Sequence, residues 1–463
     1  MPVDLHATFV RTILSPLWAR WEGSPYLSHL HWLRTHQFDA PEVVRARQWA
    51  ALKYLLRHAY ASVPYYRRLF DRESIDPARI QSFNDFQWVP VLTKADLRKN
   101  ATDLLSNRFA PADLYTKKTS GSTGEPVTIR IDEDSLQWKR ACAIRADEWS
   151  GWRFGEPVAK LWGNPEYRRR GWRGWLRNRL LERAHYLDTL KMSAADLERF
   201  ARTFRKKRPT LLFGHAHSVY LFAEYLRGQG HSGIRPRGIV TTAMALPDWQ
   251  RRVIEKVFAC PVTNRYGCEE VSLIACECER HAGFHVNSDG VYVEVLRDGR
   301  PVPPGEPGSV VVTDLTNRAM PLIRYQVGDV AVPSGRQCPC GRGAPLLERV
   351  EGREADYVVT AEDQLISGIS LTENFALRVP GLAQLQIVQE SVNYFRFRIV
   401  PGPDFGPASV EQIGSLVSER FGPNASYDCE YVDRIPQEPS GKHRFCISRV
   451  ANPFTRPREV TPV

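Results

Sequence analysis

Thr119-Ser120-Gly121-Ser122-Thr123-Gly124-Glu125-Pro126 runs directly into Val127-Thr128-Ile129-Arg130-Ile131. Two glycines and four hydroxyl residues in the six positions Thr119 to Gly124 give a loop rich in backbone N–H and side-chain O–H donors. Such a loop can wrap the oxygens of a polyphosphate. It is not a G-x-x-x-x-G-K-[ST] loop, nor the G-x-G-x-x-G turn of a dinucleotide fold. Taken alone, a Ser/Thr/Gly loop is a surface turn as readily as a phosphate site, so the surrounding pattern has to decide.

Beyond the loop, short apolar runs bounded by turns recur at 158–163 (VAKLWG), 211–214 (LLFG), 238–243 (GIVTTA) and 291–296 (VYVEVL). Helical windows at 195–207 and 217–228 lie between some of them. Alternation of this kind predicts an α/β body. The turn DGRPVPPGEPG (298–308) separates VYVEVL from SVVVTDL as in a hairpin. Upstream, residues 41–60 place Val44, Trp49, Leu52, Leu55, Leu56 and Ala59 at helical spacing, started by Pro41 and ended before Pro64. Thr93 is predicted to cap a short helix, with Asp96 at its third position. From about residue 357 a separate small unit begins: a strand at 393–400 alternating Phe395, Phe397 and Ile399, a helix at 408–421, a strand at 427–432 and a basic tail. This β-α-β content predicts a two-layer α+β lid. The fold class is therefore α/β, with a large N-terminal domain of mixed sheets and helices over 1–355 and a small α+β domain over 356–463.

The chain has 463 residues, 43% hydrophobic and 25% charged, which excludes a disordered, collagen-like or coiled-coil protein. No window reaches the roughly 18 uninterrupted apolar residues of a membrane-spanning helix. The first residues lack the basic-then-apolar run of a secretory signal, so a cytoplasmic location is expected. Nine cysteines form no regular disulfide framework, and four of them fall in two C-x-C pairs. Cys276, Cys278, His281 and His285 lie close in sequence, and Cys338 and Cys340 follow, so the region 276–340 is a candidate zinc subregion. A structural zinc takes four N/S ligands, and six candidates are present.

Lys and Arg total 63 against 52 acidic residues, a net charge of +11 that suits polyanionic partners. Arg168, Arg169, Arg170, Arg173, Arg177, Arg179 and Arg183 are interleaved with Tyr167, Trp172 and Trp175. The segment 167–183 can stack on nucleic-acid bases or sit at a membrane surface. The plainer reading is an insertion kept solvated by its charge.

The loop 119–126 resembles the phosphate loop of the adenylate-forming superfamily of acyl-CoA ligases, luciferases and adenylation domains. Four further elements follow in that family's order. Tyr266-Gly267-Cys268-Glu269-Glu270 is similar to its Y-G-x-x-E element, and Pro321 to Asp329 (PLIRYQVGD) to its run ending in R-Y-x-x-G-D. Gly352-Arg353-Glu354-Ala355-Asp356 resembles its hinge, and Pro439-Ser440-Gly441-Lys442 its C-terminal G-K element. VPYYRRLF (63–70), VPVLTKADLR (89–98) and CPCGR (338–342) look like the phenylacetate–CoA ligase and CapK-type branch.

The resemblance implies ATP-dependent activation of a small carboxylic acid as an acyl-adenylate, with transfer to coenzyme A. The alternative acceptors are an amine, a hydroxyl or a carrier protein, and a nucleotide-binding protein without turnover is the rival of another class. By the same resemblance, Thr119, Ser120, Gly121, Ser122, Thr123 and Gly124 would hold ATP phosphates. Glu270 would help bind Mg²⁺, and Asp329 would accept from the ribose hydroxyls. Tyr266, Gly267 and Thr242 belong to the ATP site, and Arg353 would contact ribose or phosphate. Lys442 would bridge the carboxylate and the α-phosphate, on a mobile lid that turns about Asp356. The branch favours Cys278, His285, Cys338 and Cys340 as ligands of a structural Zn²⁺, with Cys276 and His281 as alternates. Thr241-Thr242-Ala243-Met244 stands where relatives often read T-T-G-E, which leaves the acid unspecified. His215 and His217 are read as core histidines beside the pocket. A homodimer is compatible with the sequence.

Overall fold

A computed structural model of the chain describes residues 4–118, 127–162, 171–187, 194–242, 246–353, 357–361, 365–367, 371, 375, 378–435, 444 and 446–450. Its frame is a twelve-stranded sheet with two halves of different character. Ala184–Leu187, Val158–Leu161, Leu211–His215, Gly238–Thr242 and Val262–Cys268 are neighbours in that order, and every pairing among them is parallel. Parallel neighbours need crossovers, and the helices Ala194–Lys207, Ala216–Gly228 and Asp248–Phe258 supply them. The other half is antiparallel, in the order Ser272–Glu277, Phe284–Val286, Leu346–Arg353, Tyr325–Pro333, Gly308–Asp314 and Val291–Arg297, with Arg300–Pro301 at its edge.

Val262–Cys268 joins the halves. Its first residues, Val262 to Asn264, pair in parallel with Gly238–Thr242. Its last, Arg265 to Cys268, pair antiparallel with Ser272–Glu277. The expected hairpin of 291–296 with 309–315 is present, Val291 opposite Asp314 and Leu296 opposite Ser309.

The strand after the Ser/Thr/Gly loop stands outside this sheet. Thr128–Ile131 forms a two-stranded ribbon with Tyr115–Lys118, Lys118 opposite Thr128. The loop 119–126 itself lies outside the described residues, but its two flanks are held side by side.

The helix expected at 41–60 spans Pro41–Ser62 and buries Val44, Leu52, Leu55, Leu56 and Ala59. Val63 is extended because Pro64 disfavours helix before it, and Pro64 starts the next helix, Pro64–Arg72. Thr93 caps Lys94–Lys99 reciprocally with Asp96, a capping box.

The C-terminal sheet has the order Ser426–Tyr431, Tyr394–Pro401, Leu382–Ser391, Cys446–Ser448, with the helix Pro407–Phe421 as the crossover between two parallel strands. Phe395, Phe397 and Ile399 are fully buried against Ile413, Leu416 and Val417. Two of its strands, Leu382–Ser391 and Cys446–Ser448, were not expected from sequence. In the first, Gln386 and Gln389 are buried polar residues that break the apolar alternation. The Gln389 amide makes backbone-like bonds, donating to the Val359 carbonyl (2.6 Å) and accepting from the Val359 N–H (3.0 Å).

One ion pair ties the N-terminal helices to the antiparallel half. Arg324 donates from Nε and Nη2 to the two oxygens of Glu294, both at 3.0 Å, and from Nη1 to the carbonyls of Gln87 (2.9 Å) and Val89 (2.6 Å). Both side chains are buried. Arg324 holds this place with φ at +51°, a left-handed conformation that its four bonds must sustain. Arg324→Ala would strand the Glu294 carboxylate, and we expect a loss of about 3–5 kcal/mol in urea unfolding. The double change Arg324→Met with Glu294→Leu should recover most of that loss; equal loss in both would show that the ion pair is not the cause.

Candidate active site and metal cluster

The residues with nucleotide-site signatures gather where the joining strand changes partners. The pairing register shifts between Tyr266 and Gly267. A Cβ on Gly267 would lie 2.3 Å from the Ser272 carbonyl oxygen, so only glycine lets the two strands meet there. The Tyr266 hydroxyl donates to Oδ2 of Asp329 at 2.9 Å, across the antiparallel half. Asp329 is buried on Tyr325–Pro333, with its Cα opposite that of Arg353. Gly328 precedes it with φ at +89°, where a side chain would be strained.

Glu270 follows in the turn after the joining strand and is buried. It accepts from the Tyr325 hydroxyl at 3.1 Å. Burial and the neighbouring Glu270 carboxylate push the Tyr325 phenol and the Cys268 thiol well above their ordinary ranges. Glu270 and Asp329 both act on Cys268 and on Tyr325, so the two carboxylates share one pocket of negative charge. Such a pocket suits a divalent cation and sugar hydroxyls.

Lys117 also reaches this turn. It lies on the strand leading into the loop, donates to Ser272 Oγ at 3.1 Å, and is influenced by Glu269. Burial lowers its pKa. Sequence reading passed it over, although it stands two residues before Thr119. At the end of the neighbouring parallel strand, Thr242 is half-buried and Thr241 is buried, its hydroxyl 3.4 Å from Asn264 Oδ1. His215 is buried with its ring 4.1 Å from that of Trp162. Thr119 to Gly124, Ala243, Met244, Asp356 and Lys442 lie outside the described residues. Arg353 ends its strand opposite Asp329.

The cysteine-rich region resolves its six candidates into four. One ligand atom each from Cys278, His285, Cys338 and Cys340 lies within 4.8 Å of the others. Cys278 and Cys338 sulfurs are 3.6 Å apart, close to the ~3.8 Å edge of a tetrahedron with zinc–sulfur bonds of about 2.3 Å. Cys340 Sγ is 3.3 Å from His285 Nε2, and the N–H groups of Arg280 and Arg342 each donate to a cluster sulfur at 3.4 Å. Burial pushes the Cys278 thiol up to about 12 and the His285 imidazole down to about 4. Three thiols and a neutral imidazole in this arrangement fit a zinc ion, whose charge would stabilise the thiolates. The alternates are elsewhere: His281 Nδ1 is 3.5 Å from the Glu277 carboxylate, and Cys276 is buried in its strand outside the cluster. Ser272–Glu277 separates Glu270 from Cys278, so the cluster lies about 17–20 Å along that strand from the Gly267 turn.

Residues 358–449 match the family model of the CapK C-terminal domain. Phenylacetate–coenzyme A ligase of Thermus thermophilus is 27% identical over 326 residues, 69% of this chain and 72% of that protein. Protein CapK of Staphylococcus aureus is 23% identical over 397 residues, 83% of this chain and 85% of its own length. A solved 2-hydroxyisobutyryl-CoA ligase, in the postadenylation state with an acyl-AMP, shares the fold at TM-score 0.72 and 22% identity, covering 90% of this chain and 91% of its own. By these matches the chain is similar to the phenylacetate–coenzyme A ligases and to CapK, carries a CapK C-terminal domain at 358–449 and shares the fold of a solved CoA ligase.

Proposed function

We propose that the chain is an ATP-dependent ligase that activates a carboxylic acid as its acyl-adenylate and passes the acyl group to coenzyme A. The observation that carries this is the pairing of Tyr266 with Asp329 and of Tyr325 with Glu270 at one end of the joining strand. In the first half-reaction a carboxylate oxygen attacks the α-phosphorus, and the bond to the bridging oxygen of the β-phosphate breaks, releasing pyrophosphate. Both reactants are anions, so the site must position them and offset their charge. Asp329, oriented by Tyr266, would accept from the ribose hydroxyls, with Arg353 and Thr242 beside the nucleotide. Thr119 to Gly124 would hold the phosphates and Lys442 would reach between carboxylate and α-phosphate. Mg²⁺, held with the help of Glu270, would offset phosphate charge. In the second half-reaction the thiol sulfur attacks the acyl carbon and AMP leaves. Turning of the C-terminal domain about Asp356 would withdraw Lys442 and admit the thiol.

A solved amide bond synthetase of the same fold (TM-score 0.52, 17% identity) favours a second reading, in which the acceptor is an amine, a hydroxyl or a carrier protein. Cys278, His285, Cys338 and Cys340 would hold a structural zinc; with four protein ligands it leaves no open position for catalysis.

Two measurements test these assignments. ATP–pyrophosphate exchange over a panel of aryl, aliphatic and amino acids should depend on one acid class. It should fall by roughly 10²–10³ in Lys442→Ala. The same variant should still convert supplied acyl-adenylate to thioester when given coenzyme A. Exchange with no acid would favour a nucleotide-binding protein, and turnover without coenzyme A would favour the second reading. For the cluster, purified protein should carry about one zinc per chain. Cys338→Ala should lose the zinc and lower the melting temperature by about 5 °C or more. Zinc retained in full by that variant would sink the assignment.

A further inference from the structure

The N-terminal helical segment buries mainly small side chains, leaves Leu14 and Trp18 half-buried, and turns five large apolar ones outward. Leu5–Phe9, Val10–Leu14 and Ser15–Glu22 follow one another without a break, and the residues buried against the body are Ala7, Val10, Ser15 and Ala19. The outward residues Leu5, Phe9, Ile13, Leu17 and Trp21 recur every fourth position, which places them along one face. Their exposures lie between 45% and 78%. A helix facing only water and its own body would orient the other way, with the large apolar stripe packed inward.

A second helical segment lies beside it and repeats the pattern. Gly171–Arg177 continues into Asn178–Glu182. It is fixed to the first by Arg183 on Asp4 (2.8 Å), Arg177 on Glu22 (3.2 Å) and His6 near the Leu180 carbonyl (3.3 Å). Arg177 and Leu181 are buried there, while Trp172 and Trp175 are 66% and 62% exposed. The Arg179 guanidinium sits 5.6 Å over the Trp175 ring. Seven large apolar side chains, three of them tryptophan, are thus displayed on two adjoining helices. Exposed apolar side chains concentrated on two joined helices in this way mark a contact site.

The charge beside the patch selects among occupants. Among the described residues of the two segments, Arg11, Arg20, Arg177, Arg179 and Arg183 outnumber the acids Asp4, Glu22 and Glu182. Arg177 and Arg183 are offset by Glu22, Glu182 and Asp4, while Arg20 and Arg179 are exposed. A second copy docked by a two-fold axis would set this positively charged face, with Arg20 and Arg179, against itself. Apolar side chains with tryptophan, bordered by arginine, instead match the headgroup region of an anionic bilayer. Among the described residues no helix is long and apolar enough to cross a membrane, so contact would be made lying flat.

We propose that this two-helix face docks on an anionic lipid bilayer, its outward apolar side chains entering the headgroup region and its arginines facing the lipid phosphates. The inference goes beyond the ligase reading and does not depend on it. The test is co-sedimentation of the full chain with vesicles of phosphatidylcholine alone and of phosphatidylcholine mixed with phosphatidylglycerol, read with tryptophan emission. Partition onto the anionic vesicles should exceed that onto neutral ones by about tenfold and weaken as salt rises. The pairs Leu17→Ser with Trp21→Ser, and Trp172→Ser with Trp175→Ser, should each lower it by about tenfold. Both pairs should keep the wild-type circular dichroism and melting temperature, since all four residues are exposed. Failure to partition onto either vesicle overturns the proposal, as does undiminished partition by the folded variants. Self-association without vesicles, seen by sedimentation velocity and lost in the same variants while lipid binding is absent, would replace the bilayer with a second copy.

Discussion

A strand can satisfy its backbone on both edges only if a neighbour runs along each, and Val262–Cys268 has one half of the sheet on either edge, the parallel half against its start and the antiparallel half against its end. Val262 to Asn264 pair with the parallel half, and Arg265 to Cys268 with the antiparallel half. Near the crossover the Asn264 N–H is taken by the Glu277 carboxylate at 2.7 Å, itself gripped by Arg251 at 2.8 and 3.0 Å. The hydrogen bonding is thus completed by a side chain where the partners change. A crevice at the carboxyl ends of parallel strands, where chain direction changes, is where open α/β sheets bind ligands. Tyr266, Gly267 and Glu270 stand at that end. Gly267 is the steric condition for it, because any Cβ there would drive Ser272 away and separate the halves.

Several buried or partly buried acids among the described residues are tied to cations. Glu294 is paired with Arg324, Asp314 with Lys139, Asp289 with Arg145 and Glu277 with Arg251. In each the desolvated carboxylate is offset by a cation, which makes a structural tie. Glu270 and Asp329 instead accept from phenols, Tyr325 and Tyr266. A phenol orients a carboxylate without cancelling its charge, and so preserves its capacity to attract a metal ion or accept further hydrogen bonds.

Much of this was legible from local sequence because local chemistry dictated it. Pro41, Pro64 and the Thr93–Asp96 box set helix ends that the structure reproduces within two residues. The parallel strands read as apolar runs because both faces are covered. Tyr266 and Asp329 were both named, yet their hydrogen bond spans 63 positions and depends on strand order, which no local pattern encodes. The four ligands that the branch resemblance favoured, Cys278, His285, Cys338 and Cys340, are the ones brought together, although residue types and spacing alone left six candidates. Leu382–Ser391 escaped notice because two buried glutamines imitate surface residues while making backbone-like bonds. Arg324 sits inside a sequence element quoted for nucleotide binding, and its side chain is spent on Glu294 and two carbonyls of the N-terminal region. A motif position can therefore serve the scaffold rather than the ligand.

Leu346–Arg353 links the two candidate centres and limits what can move. At its start Leu346 is paired with His285, beside the cysteine cluster. At its end Arg353 is paired with Asp329, beside the Tyr266 hydroxyl. A metal at the cluster would act on the far end of this strand, stiffening the ladder that carries Asp329 without touching substrate. The strand is also the last element of the large sheet before the C-terminal domain, so that domain is tethered to a segment fixed at both ends. Any distortion within this strand would break the Asp329–Arg353 pairing that closes the ladder. A metal at the cluster, some 17–20 Å along the neighbouring strand from Gly267, would act on that end of the sheet through rigidity alone.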